Sequence, residues 1–315
     1  MILTLLAASL ALSQGDAPLT PQPPIVIPGG AGKFDFMGID AGNHLVFASH
    51  PGKSSIAVLN TETGKAVDVP VGVEVNGVAA DSKGKRLFGA GPGKTLVVVD
   101  TTNFSKIGAL PLDGPGDCVQ FDKARGVVYV DNDDGTNLWV VDGKALKLSS
   151  AITIKEAPEY MEYDSGTDRI YQAIKSANTV QVIDAAGRKV LNEFTLGELS
   201  SPHGLALDKK TRRLFVAGKN GKLVMLDADT GKLLKSVEVL QGSDQIAYDS
   251  GNKRLYIPAQ GQIQVVQITG DDAAVLGSVP VGKDCHRVAI ERRTHSVWVA
   301  YSEGAESYFQ KFAAK

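Results

Sequence analysis

A carboxylate recurs along this chain roughly every 41 residues. It stands at Asp40, Asp81, Asp122, Asp164, Asp208, Asp249 and Glu291, with successive spacings of 41, 41, 42, 44, 41 and 42. Each ends a short apolar run and precedes a polar turn. Repeat five gives the unit: residues 202–208 form a first strand, 213–218 a second, 223–227 a third and 235–239 a fourth, parted by turns rich in Lys, Asn, Asp and Gly. Short β-branched runs between such turns specify an antiparallel meander. Seven meanders of this length with no long amphipathic helical stretch point to a closed radial array.

The expected fold is therefore all-β: a seven-bladed β-propeller of four-stranded antiparallel blades. The seventh copy ends at Lys315 after three strands. Residues 25–29 match the missing fourth strand in character, so the N-terminal strand is expected to complete the last blade and close the ring. Closure protects an otherwise open edge, and deleting residues 16–28 should destabilise the whole domain. Two places before each repeat carboxylate the inner strand carries a small residue, Gly38, Ala79, Ala206, Ala247 or Ala289; Gln120 and Glu162 depart from this rule.

Lys plus Arg total 33 and Asp plus Glu 35, a net charge of −2, so the broad basic footprint of a nucleic-acid binder is missing and no nucleic-acid partner is expected. Residues 1–13 are an uncharged apolar run, too short to span a bilayer and ending in small residues. They read as a signal peptide, which implies a secreted or periplasmic protein with no transmembrane segment. Residues 14–24 read as a Pro-rich linker and 25–315 as the propeller. Cys118 and Cys285 fall three blades apart in a seven-membered ring, farther than the roughly 7 Å Cα separation a disulfide tolerates, so both are expected as free thiols. A monomer is expected.

The segments Asp208 to Ala217 and Asp249 to Ile257 carry an Asp-x4-Arg-Leu-Phe/Tyr unit, followed in the first case by the apolar strand and Asp-x-x-Thr-Gly-Lys turn of Leu223 to Lys232. This pattern resembles the YVTN-type β-propeller repeat family over residues 25–315. The resemblance implies the propeller architecture and a secreted or periplasmic location, but no particular reaction. Gly-His and Trp-Asp repeat signatures are absent. Propellers host binding proteins, lactonases, lyases and oxidoreductases, so architecture alone selects no chemistry.

Function has to come from where the repeats differ. Five places before the repeat carboxylate, each inner strand starts with a polar residue: Asp35, Asn76, Asp117, Glu159, His203, Asp244 and His286, the last followed by Arg287. Loops joining second to third strands on the same face add His50, residues 132–134, Lys175, Lys219 and Glu303. Two readings remain open. One is a binding or scaffold module that presents this polar channel mouth to a small polar ligand or partner protein. The other is a metal-dependent lactonase, hydrolase or lyase. His203, His286, Glu159 and Asp244 would hold its divalent metal, imidazole and carboxylate being transition-metal ligands. No Gly-x-Ser-x-Gly elbow, phosphate loop or Cys-x-x-Cys occurs, which leaves serine hydrolases, NTPases and thiol relays without support.

Overall fold

The computed structural model describes residues 17–315; the expected signal peptide lies outside them. Seven antiparallel sheets follow one another along the chain. The first blade is built from Met37–Asp40, Leu45–His50, Ser55–Asn60 and Ala66–Pro70. The next five repeat that order up to Asp272–Pro280, so the propeller expectation holds.

In the last blade Ala289–Glu291, Ser296–Glu303 and Glu306–Ala314 are joined by two N-terminal strands. Ile25–Ile27 pairs antiparallel with Phe309 to Ser307, as the repeat arithmetic requires. Leu19–Pro21 also pairs with this strand, at Ala314 to Phe312, although its segment reads as a linker in the sequence. Prolines at 18, 21, 23 and 24 break the run into two short pieces but leave Leu19 facing the core, where it is buried.

The repeat carboxylate has a local cause. Asp40 Oδ1 accepts the N–H groups of Gly42 and Asn43, Asp122 Oδ1 those of Ala124 and Arg125, and Asp208 Oδ1 those of Lys210 and Thr211. Short acidic side chains at a strand end thus satisfy backbone donors that the tight turn leaves without partners. Four places beyond each carboxylate the backbone is left-handed: His44, Lys85, Gly126, Asp168, Arg212, Lys253 and His295 all have φ between 53° and 67°. Only one is glycine, so the turn's hydrogen bonds offset the steric cost at the other six. His44 and His295 are members of this set.

Packing runs between blades rather than through one centre. Among the described residues seven apolar clusters occur, one at each blade–blade boundary, including the boundary between the last blade and the first. At that closing boundary Ile27, Trp298 and Phe309 pack against Phe34, Val46 and Leu59. Each such aliphatic or aromatic side chain contributes about 1.5–3 kcal/mol on burial. The outer strands of blades two to six each carry a bulge, and Ile107, Leu191 and Leu276 are among the unpaired residues. Bulges of this kind make an outer edge a poor template for pairing with another chain. Cys118 and Cys285 are free and buried, as expected.

Candidate functional site

The inner strands bring their leading residues to one end of the channel. A cavity of about 830 Å³ opens there, and its wall includes Asp35, Asn76, Asp117, Glu159, Asp244, His286 and Arg287. His203 does not line the cavity, but it touches Glu159 from behind. Six carboxylates (Asp35, Asp117, Asp133, Glu159, Asp244, Asp284) and four permanent cations (Lys33, Lys175, Lys219, Arg287) share the wall. Asp133, Lys175 and Lys219 come from the second-to-third strand loops. His50, expected among those loops, is instead fully buried: it stacks on Phe34 with ring centroids 4.1 Å apart, and its Nδ1 lies 3.1 Å from Asp68.

The charges divide into two sectors. In the first, Arg287 is only 4% exposed and reaches Asp35 at 3.7 Å and Asp244 at 3.6 Å. Asp244 also pairs with Lys219. Burial pulls the Asp244 carboxyl up, but the attractions of Lys219 and Arg287 outweigh it and leave the group below the usual range. Asp35 is raised, because burial outweighs the attraction of Arg287. Charges in this sector are matched.

In the second sector they are not. Glu159, Asp117 and Asp133 place carboxylate oxygens within 4.8 Å of one another. Lys175 Nζ sits between Asp133 and Glu159, at 2.6 and 2.8 Å. Asp117 is buried and accepts one hydrogen bond, from Asn76 Nδ2 at 3.0 Å. Burial, followed by repulsion from Glu159 and Asp131, holds its carboxyl well above the usual range. The blade-two backbone at Gly77 passes so close to the Asp117 carbonyl that a Cβ would collide with it, which keeps this part of the rim tight. Beneath lies Asp131, fully buried, accepting from the Cys118 N–H and from Gln172 Nε2.

Glu159 and His203 form a linked pair. His203 Nδ1 lies 2.9 Å from the Ser201 carbonyl oxygen, so that nitrogen carries the proton. Its Nε2 is then an acceptor, 3.4 Å from Glu159 Oε1. Two acceptors face each other unless the pair holds one further proton. That proton belongs to the carboxyl: burial drives Glu159 up to about 7 against the attraction of Lys175, while burial and then Lys219 drive His203 down to about 4. His286 is anchored in the same way, Nδ1 on the Gly242 carbonyl oxygen at 3.1 Å, and burial lowers it too.

Sequence reasoning placed the rim residues on one face but did not foresee Asp131 and Gln172 beneath it. A signal for both was present. Nine places after the repeat carboxylate the other copies carry Ser49, Ala90, Ala173, Ala217, Pro258 and Ala300, and Asp131 is the one acid. One place earlier, Gln172 stands among Ala48, Gly89, Val130, Val216, Ile257 and Val299.

The expected metal set does not converge in this geometry. No three of His203, His286, Glu159 and Asp244 bring ligand atoms within 4.8 Å of one another; among the described residues only Asp117, Asp133 and Glu159 do. That set offers oxygen alone, a donor type suited to calcium, magnesium or manganese rather than zinc or copper, and Lys175 already occupies two of the three. The positive charge held there is an ammonium.

No family model matches the sequence, and no curated protein matches it. The fold itself is shared widely. A chain of the mitotic checkpoint complex superposes with a TM-score of 0.79 at 14% identity, over 98% of this chain and 98% of that one. The WD40 repeats of RRP9 superpose at 0.80 and 13% identity, over 94% and 100%. A chain of the hydrazine synthase of Kuenenia stuttgartiensis gives 0.74 and 15% identity, over 84% and 92%. At these identities the likeness is one of fold: the chain is a seven-bladed β-propeller.

Proposed function

We propose that the protein is a secreted or periplasmic binding module, acting as a monomer, whose upper cavity takes a small polar ligand or a projecting segment of a partner protein through a cationic group. The observation that carries this reading is the unmatched sector, three carboxylates around one lysine in an open cavity of about 830 Å³. A volume of this size lies within the range of small-ligand pockets. An incoming ammonium or guanidinium favours the ionised form of Glu159, so its binding releases a proton at and below pH 7. The similar chain from the mitotic checkpoint complex belongs to a protein assembly, which supports a partner protein as one source of that group. The location rests on the apolar run at residues 1–13, and N-terminal sequencing of the mature protein after cell fractionation tests it.

Calorimetric titration with a short lysine-containing peptide, and with its glutamate counterpart, tests the reading directly. The basic peptide should bind with proton release, its affinity rising by up to about tenfold per pH unit as pH approaches 7 from below. Asp117→Asn and Glu159→Gln should each weaken it. Equal binding of both peptides, or affinity that does not respond to pH, would overturn the proposal.

A second reading is favoured by one feature. His203 and His286 both tie Nδ1 to a backbone carbonyl, which orients a metal-ligating imidazole and leaves Nε2 as the donor. Their convergence with Glu159 and Asp244 on a metal would require rim movement. Elemental analysis of protein purified without chelator decides it: stoichiometric metal that a folded His203→Ala/His286→Ala variant lacks would favour the enzyme, and metal-free protein would exclude it.

A further inference from the structure

The matched sector of the upper cavity is balanced in charge but not in hydrogen bonds. Four places before the repeat carboxylate the other copies carry Phe36, Gly77, Cys118, Tyr160, Gly204 and Gln245; Arg287 is the one charge at that position. A buried guanidinium costs stability unless its donors are taken. Of its five N–H groups, one finds a partner among the described residues: Nη1 donates to the Asp284 carbonyl oxygen at 3.3 Å. Nε is buried without a partner. Nη2 stands 3.7 Å from Asp35 Oδ1 and 3.6 Å from Asp244 Oδ2, well beyond the roughly 2.7–2.9 Å of a charge-assisted hydrogen bond.

The acceptors around it are equally unspent. Among the described residues the Asp35 carboxylate accepts no hydrogen bond, and neither does that of Asp284. Lys33 approaches Asp35 only to 3.9 Å. Asp244 gives Oδ1 to Lys219 and keeps Oδ2 free. All three acids line the same cavity as Arg287. The two sectors also act on each other across the mouth, Asp35 repelling Asp117 and Asp244 repelling Glu159, so one ligand can reach both.

The group that completes this wall has to carry donors and an acceptor without a charge. A ligand carboxylate would meet three acids and bring them no donor. A second ammonium would leave the Arg287 donors unspent. A peptide backbone fails on geometry, because the N–H and C=O of a trans amide point to opposite sides, while Asp35 and Arg287 stand side by side. A primary amide brings two N–H groups to three carboxylates. Neighbouring hydroxyls, each a donor and an acceptor at once, answer both sets.

We infer that the upper cavity takes an amino sugar, its hydroxyls on Arg287, Asp35 and Asp244 and its ammonium among Asp117, Asp133 and Glu159. This rests on the reading of the acidic sector as a cation site and adds the class of ligand. A volume of about 830 Å³ suits an oligosaccharide of roughly two or three rings.

The β-1,4-linked glucosamine dimer is the probe, titrated by calorimetry at pH 6 into the full chain. Saturable one-to-one binding is expected. Two comparators separate its groups: the di-N-acetylated dimer keeps ring hydroxyls without charge, and putrescine keeps two ammonium groups without hydroxyls. Each should bind about 10- to 100-fold more weakly, the loss that goes with hydrogen bonds to charged groups. Asp35→Asn, which keeps the side chain's shape and threatens folding least, should narrow the ratio of dimer to putrescine affinity about tenfold. Arg287→Lys, which keeps the charge but loses the fork, should narrow it too. Glu159→Gln should weaken both ligands and leave the ratio unchanged. Putrescine binding as tightly as the dimer, or Asp35→Asn weakening the two equally, would overturn the inference and leave the cation site standing. Binding of the lysine peptide with proton release, but not of the dimer, would do the same and assign the cavity to a partner protein. Failure of dimer, putrescine and basic peptide alike to bind the folded protein would overturn both readings.

Discussion

The two ends of the channel use the same functional group for opposite purposes. At the turn end, Asp164 is 1% exposed, yet its Oδ1 accepts the Gly166 N–H at 3.0 Å and its Oδ2 accepts the Thr167 hydroxyl at 2.7 Å and the Arg212 guanidinium at 2.6 Å. Burial raises its carboxyl, but those donors together outweigh burial and hold it below the usual range, as they do for Asp122, Asp208 and Glu291. At the cavity end Asp117, comparably buried, has one amide donor and two acidic neighbours, and its carboxyl is raised. Burial therefore does not decide what a carboxylate does here; the supply of donors does. Where a turn and the next blade supply three, the group is a structural cap. Where they supply one, it is an acid that keeps its proton until a cation arrives at the opening.

The largest effect should come from removing a cap. Asp164→Ala strips a buried carboxylate from two donors and leaves the Arg212 guanidinium with only Asp229 and the Tyr171 hydroxyl. Breaking a buried, hydrogen-bonded charge pair costs about 3–5 kcal/mol. The expected loss is about 3 kcal/mol at pH 7 by urea denaturation, the partial exposure of Arg212 placing it at the lower end. A loss below about 0.5 kcal/mol, the scale of an exposed pair, would show that the turn end is no more built than the cavity end.

The turn end was also the legible end. Its carboxylates recur because each turn needs the same cap, and seven repetitions of one local requirement stand out in a single sequence. Blade count, strand order and ring closure by residues 25–27 followed from that, since they depend only on period and on where the last copy stops. Leu19–Pro21 was hidden because its prolines read as linker, while its pairing is set by the distant strand Glu306–Ala314. At the cavity end the residue types were readable but their partners were not. Lys175 lies sixteen residues beyond Glu159 in the chain, on a loop whose reach depends on blade twist, and whether a lysine or a metal fills an acidic cluster is a matter of ångströms. His50 shows the same limit: its position in the repeat put it at the mouth, but the chain at Gly32 and Phe34 covers it.

The pair Glu159–His203 offers an intermediate effect with a distinctive sign. A carboxyl raised to about 7 from an ordinary value of 4.5 contributes stability that is complete below 4.5 and is lost as pH rises through 7. An imidazole lowered to about 4 from 6.5 contributes stability that is complete above 6.5 and is lost as pH falls through 4. Between about 4.5 and 6.5 the two slopes oppose each other, and the wild type should be nearly flat there. Glu159→Gln should expose the histidine, with stability rising with pH across that window. His203→Gln should expose the glutamate, with stability falling. Each slope is on the order of 1 kcal/mol per pH unit at most. Denaturation midpoints between pH 4 and 8 check this, and two variants with slopes of the same sign would break the assignment of the proton to Glu159.

The smallest effect is the most direct test of the contrast, because it reverses the sign of the first. Asp117→Asn keeps the shape of the side chain and removes a charge that burial and its acidic neighbours oppose. Above the raised carboxyl value the wild type must bear that charge or hold a proton against the solvent; the amide does neither. Stability should therefore rise by about 1 kcal/mol at pH 8, within the range seen when a buried charge gives way to a neutral group of similar volume. At pH 4, where folding already favours the protonated acid, the variant and wild type should match. The same protein should bind the basic peptide more weakly. A variant that is less stable at pH 8 would mean that Asn76 and its surroundings hold the carboxylate as firmly as the turns hold Asp164, and the two ends of the channel would then differ in sequence but not in kind.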